Sequence, residues 1–102
     1  MDILIRIKRL VIARRVVFTL KADDEMAIDS LTREIVYEAI LNAPMINKKI
    51  RSRDPDSGQP EFLYVIKGMT HDGLTIYTKG KIKKEGGKEV FYVFISSKQS
   101  TD

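Results

Sequence analysis

The spacing of apolar residues along this chain changes for good at Pro44. Before that proline, apart from the short apolar run 16–20, apolar side chains recur every three or four residues, which is the spacing of amphipathic helices. After it they alternate with polar side chains between turn signals, which is typical of β-strands. Because helices come first and strands second, we predict an α+β fold with two to three N-terminal helices packed on an antiparallel sheet of three to five strands.

Start and stop signals set the element boundaries. Asp2 to Ala13 is predicted as the first helix, and Thr32 as the N-cap of a helix that ends at Asn42. Between them, 16–20 is predicted as a short strand or extended link, and 21–28 returns to good helix formers. Further strands are predicted at Met45–Arg51, Glu61–Lys67, Leu74–Lys84 and Glu89–Ser97. The last strand is apolar on both faces, which predicts burial on two sides.

The composition excludes several kinds of chemistry. There is no cysteine and a single histidine, His71. The composition therefore excludes disulfides, thiol nucleophiles and imidazole-based metal sites. His71 falls at a predicted hairpin tip, where we do not expect a catalytic role. Catalysis would have to use Lys, Arg, Tyr, Ser, Thr or carboxylates, and we expect no metal or other cofactor.

The size and apolar runs of the chain bound its organisation and location. Its 102 residues contain no linker long enough to separate domains, so we expect one domain over 1–102. The apolar runs are far shorter than the roughly eighteen residues that a membrane span needs. No secretory signal is recognisable at the start. We therefore expect a cytoplasmic protein that does not interact with a membrane.

Charge is distributed unevenly along the chain, whose net charge is +4. Residues 1–21 carry six basic and one acidic side chain, residues 22–43 one basic and six acidic, and residues 44–102 eleven basic and seven acidic. One interpretation is an acidic helical layer that lies apart from a cationic face. The alternative is that solvated helix faces simply balance each other.

The predicted strand 74–84 places Tyr77, Lys79, Lys81 and Lys83 on one face. Ammonium groups bind phosphates and an aromatic ring stacks on unpaired bases, so this face is a candidate RNA-binding surface. Its alternative role is an exposed edge that lysines protect from pairing with other molecules.

Other cations fall close to this strand in the predicted sheet. Two of them, Arg51 and Arg53, are candidate RNA contacts that follow Lys48 and Lys49, although a solvated strand edge is an equal interpretation. Lys98 ends the last strand, where it is either a site residue or merely solubilising.

Six short strings occur along the chain in a particular order. They are Ile5–Val11, FTLKADDEM at 18–26, Leu31–Thr32 followed by Glu34, Ala39–Asn42, Gly68–Leu74 and Phe94–Lys98. Their order and spacing resemble small bacterial and archaeal domains related to the MqsR toxins. The resemblance implies a RelE-like fold and the toxin of a type II toxin–antitoxin pair. It further implies a messenger-RNA endoribonuclease and, as partner, an antitoxin with a zinc ribbon or a DNA-binding domain.

The same resemblance implies particular site residues. The family's active-site lysine falls near Lys48 or Lys49, its glutamine near Gln59, its tyrosine on Tyr77 and its near-terminal lysine on Lys98. Many relatives also have a histidine before alanine at the start of the second helix. This chain departs from that pattern, because the position is Lys21.

The implied chemistry does not need a histidine, because RNA carries its own nucleophile in the ribose 2′-hydroxyl. Tyr77 or a lysine would take the hydroxyl proton, while Lys98 with Lys48 or Lys49 would stabilise the extra charge on the phosphate. The alternative function is a non-catalytic module that binds RNA or protein through the same cationic face.

Overall fold

A computed structural model describes residues 2–101, which form three helices and five strands in an α+β arrangement. The fold class predicted from the sequence is confirmed. The elements are α1 Ile3–Ile12, β1 Val16–Phe18, α2 Leu20–Ile28, α3 Arg33–Asn42, β2 Lys48–Arg53, β3 Pro60–Met69, β4 Thr75–Glu85 and β5 Lys88–Gln99. No helix in residues 2–101 is long and apolar enough to cross a membrane.

Side-chain caps define where the helices begin. The Asp2 carboxylate accepts a hydrogen bond from Leu4 N, two residues further along the chain, at 2.7 Å. Thr32 accepts one from Ile35 N at 3.2 Å, so the predicted N-cap of α3 is confirmed. Thr19 caps α2 in the same way, which starts this helix at Leu20 rather than at residue 21. Each cap satisfies a backbone N–H that has no partner within the helix.

The five strands form one sheet in the order β1-β5-β4-β3-β2. The last four strands are antiparallel neighbours, as predicted. β1 pairs with β5 in parallel, so the sheet is mixed rather than purely antiparallel. The long connection between these two strands, which contains α2 and α3, allows the parallel pairing.

Strand boundaries differ from prediction at several ends. β2 starts at Lys48 instead of Met45, and it continues through Arg53 because that residue pairs with Pro60. β3 continues to Met69, and β5 to Gln99, because β4 supplies pairing partners that far. Tertiary pairing, rather than local composition, fixes these ends.

The three helices pack on one face of the sheet. Ile7, Val11 and Ile40 from the helices are fully buried with Ile66 and Phe94 from the strands. The other face of the sheet is not covered by any element in residues 2–101, and we call it the open face. Phe91, Val93 and Ile95 of β5, on the open face, are only partly buried, so the prediction that this strand is buried on two sides is wrong.

Candidate functional site

The open face is strongly cationic. Alternation and cross-strand register place six lysines of the strands there, against one carboxylate, Glu61. The lysines are Lys48, Lys67, Lys79, Lys81, Lys83 and Lys98. Glu61 is paired with Lys81, with a distance of 3.0 Å between Nζ and Oε1. The strand positions of this face therefore have a positive net charge, which attracts polyanions.

Tyr77 and Lys98 lie side by side on this face. They are direct cross-strand partners, and the Lys98 ammonium lies 5.4 Å from the centre of the Tyr77 ring. Lys67 pairs with Tyr77 from the other side, on β3. A pocket of about 890 Å³ adjoins the pair and is also lined by Asp29. Two of the predicted catalytic residues are thus brought together.

A β-bulge determines which face Lys98 occupies. Gly80 pairs with Phe94, but Lys79 pairs with Ser96, so Ile95 is an extra residue on β5. Uninterrupted alternation from the buried Phe94 would place Lys98 on the helix-covered face. The extra residue shifts the alternation by one position and moves Lys98 to the open face, beside its partner on β4.

A second row of side chains crosses the open face next to the first. Lys48, Val65, Lys79 and Ser96 are successive partners in this row. It is two residues, about 6.7 Å, along β4 from the row of Tyr77. Val65 is only 6% exposed although no other layer covers it. The aliphatic stems of neighbouring lysines shield such a residue while their ammonium groups stay in water.

The acidic helix α2 covers the free edge of β5. β1 pairs only with the middle of β5, so the N–H groups of Ser97 and Gln99 face no strand. Glu25 Oε1 accepts hydrogen bonds from Ser97 N at 3.2 Å and from Ser96 Oγ at 2.7 Å. Asp29 Oδ2 accepts one from Gln99 N at 2.8 Å.

Helix and strand geometry explain this match. Four residues of α-helix rise about 6.0 Å, and two residues of strand about 6.7 Å, so carboxylates one helical turn apart reach alternate edge amides. The acidic helices thus pack on the other face of the sheet from the lysines of the open face, and the acidic segment meets the basic strand end that carries Lys98 only at the edge of β5, through Glu25 and Asp29. The spacing of Glu25 and Asp29 is visible in the sequence, but their strand partner is not.

The other predicted residues lie at separate places. Lys49 pairs with the buried Tyr64 and so lies on the helix-covered side, where its ammonium is 4.0 Å from the centre of the Phe62 ring. Arg51 pairs with Phe62 on the same side. Gln59 is in the loop before β3. It is about 26 Å from the row of Tyr77, which crosses β3 at Lys67, eight residues further along the chain.

The remaining cations are more peripheral. Arg53 donates from Nη1 to the carbonyl of Gly58 at 3.0 Å, within the 54–59 loop. Lys83 is exposed near the end of β4. Lys21 is exposed on α2, one turn before Glu25, in a position that brings it to the side of α2 that faces the end of β5. Of the paired alternatives Lys48 and Lys49, only Lys48 is on the open face.

An apolar groove of about 810 Å³ occupies the other half of the open face. Its apolar lining comes from four strands and includes Val17, Leu63, Phe91, Val93 and Ile95. Asp54 and Asp56 line one wall, and the Asp56 N–H donates to the Asp54 carboxylate at 2.9 Å. That bond holds the pKa of Asp54 below its usual value. The sequence pattern does not reveal this groove, because it predicts that both faces of β5 are buried.

The fold and the open face define a class: an α+β protein with a lysine-rich sheet surface that contains a tyrosine–lysine pair. No group of three or more metal-ligating side chains in residues 2–101 is arranged to hold a metal ion. Comparison of the chain with family models, with curated proteins and with solved structures finds no match. The site must therefore be interpreted from its own chemistry.

Proposed function

We propose that this protein is the toxin of a type II toxin–antitoxin pair and that it cleaves messenger RNA at the open face. The observation that carries the proposal is the Tyr77–Lys98 pair, whose 5.4 Å contact lies within a set of lysines that suits a phosphodiester backbone. The resemblance proposed from the order of the short sequence strings implies the same assignment.

The reaction that we propose is an internal transfer. The ribose 2′-oxygen attacks the adjacent phosphorus while its proton passes to Tyr77 in its phenolate form or to a neighbouring lysine in its neutral amine form. The bond from phosphorus to the 5′-oxygen breaks, and a second, protonated lysine of the open face donates a proton to that oxygen. The products are a 2′,3′-cyclic phosphate and a 5′-hydroxyl. Lys98, with Lys48 one row away, offsets the extra negative charge that the phosphate acquires in the transition state.

The experiment compares purified variants on a labelled single-stranded RNA at low salt. Tyr77→Phe should cut about a hundred- to ten-thousand-fold more slowly than the wild type, which is the usual contribution of a proton-transfer group. Lys98→Ala should cut about a hundred- to a thousand-fold more slowly, as expected for the loss of one group that stabilises transition-state charge. Arg9→Ala, an exposed change on α1, is the matched control and should cut normally. Full activity in both site variants would refute their roles.

The toxin role has its own test. Induction of the chain in a bacterial host should arrest growth, and co-expression of the antitoxin partner should restore it. An adjacent gene that encodes a small zinc-ribbon or DNA-binding protein would identify this partner.

A non-catalytic module that binds RNA or protein is the second candidate. It is favoured by the position of Gln59, which does not lie with Tyr77 and so leaves the residue set that the resemblance implies incomplete on this face. This candidate predicts RNA binding that weakens with salt but no cleavage under any condition.

A further inference from the structure

We infer that the apolar groove is a subsite for unpaired bases, which makes the open face select single-stranded RNA. The inference rests on the proposed function in one respect only, namely that the bound nucleic acid is RNA. Its starting point is that five apolar side chains, which a soluble domain normally covers, are accessible on one concave surface. Val17 alone is 45% exposed.

The groove lies further along β4 than the Tyr77 site, beyond the row of Lys79 and Ser96. Lys81 pairs with Val93, and Lys83 with Phe91, so the apolar side chains lie beside the same lysine-bearing strand. From Tyr77 to Lys83 the strand covers six residues, or about 20 Å. A strand of RNA that reaches the site can therefore extend over the groove.

Charge identifies the occupant. The strand positions of the open face carry six lysines against Glu61, which is paired with Lys81, and the loop wall of the groove adds Asp54 and Asp56 beside Arg53, so the face as a whole stays positive. A polyanion is the partner that this field attracts. Phosphates account for the lysines but not for the apolar floor, whereas unpaired bases offer apolar faces that can stack on Phe91 and contact Val93. In a duplex the base faces are stacked on one another, so a duplex would contact only the lysines and not the apolar floor.

The test measures binding of 2′-O-methyl RNA, which cannot be cleaved through its 2′-oxygen. A base-bearing ten-nucleotide strand should bind wild-type protein about five- to a hundred-fold more tightly than an abasic strand of the same length, from the contribution of one stacked base. Phe91→Ala should remove most of that difference while leaving abasic binding unchanged. Phe62→Ala, which alters a 39% exposed ring on the other face, is the matched control.

Equal affinity of the wild type for base-bearing and abasic strands would overturn the inference. Because this comparison uses only the wild-type protein, it does not depend on whether Phe91→Ala folds. Binding of an acidic amphipathic peptide that Phe91→Ala weakens, with RNA affinity unaffected, would overturn it in favour of a protein partner. The proposed nuclease is tested separately with unmodified RNA. Cleavage without base-dependent binding rejects only the subsite, and base-dependent binding without cleavage rejects only the nuclease.

Discussion

Removal of the Glu25 carboxylate should destabilise the protein by freeing the edge of β5. Glu25→Ala deletes hydrogen bonds to Ser96 Oγ and Ser97 N, the second of which belongs to a residue with 0% exposure. Hydrogen bonds to a charged group contribute about 1.5–3 kcal/mol each, and because Glu25 is itself partly solvated we expect a total loss of about 2 kcal/mol. For a domain of this size that is about 8 °C in Tm.

Urea denaturation followed by circular dichroism measures this loss. Glu25→Gln keeps an acceptor oxygen and should lose about half as much. Asp24→Ala, an exposed change on the same helix, should change stability by no more than about 0.5 kcal/mol. If Glu25→Ala were as stable as Asp24→Ala, the edge-covering role of α2 would be refuted.

Four further changes test the packing and the ion pairs. Gly80→Ala would bring a methyl group within 2.6 Å of the Tyr92 ring and should cost about 1–3 kcal/mol in urea denaturation; an unchanged midpoint would contradict it. Tyr92→Phe removes a buried hydroxyl that has no hydrogen-bond partner, so stability should stay equal or rise, and a clear loss would reveal a missed partner. Gly68→Ala would place a methyl group 1.8 Å from the backbone oxygen of Ala39, so α3 could not pack on the sheet. This variant should show a weaker helical circular dichroism signal than the wild type. The Arg6 guanidinium holds the pKa of Glu89 below its ordinary value of 4.5. The wild type should therefore be more stable than Glu89→Gln near pH 7, and this difference should shrink as the pH falls below 4.5. A pH-independent difference would contradict the ion pair.

Local signals predicted the elements well because their causes are local. The Thr32 cap and the end of α3 at Asn42 depend on residues within one helical turn, and the structure has both. The parallel pairing of β1 with β5 depends on contacts more than seventy residues apart, as between Val16 and Tyr92. No short-range pattern encodes such a pairing.

The candidate site was only partly predictable for a similar reason. Alternation correctly placed Tyr77 and Lys79 on one face of β4, and this remains the basis of the site. The position of Lys98 depends on the bulge at Ile95, which exists only in the pairing of β4 with β5. Likewise, the choice between Lys48 and Lys49 required knowledge of which face the helices cover.

Analysis of the ends of the cleaved RNA tests the central claim most directly. Purified wild-type protein is incubated at low salt with an RNA and with the same strand carrying 2′-O-methyl groups, and the products are examined by mass spectrometry. We predict 2′,3′-cyclic phosphate and 5′-hydroxyl ends from the RNA, no cleavage of the methylated strand, and loss of both products in Lys98→Ala. Intact RNA, or products with 5′-phosphate ends, would contradict the proposed mechanism at the open face.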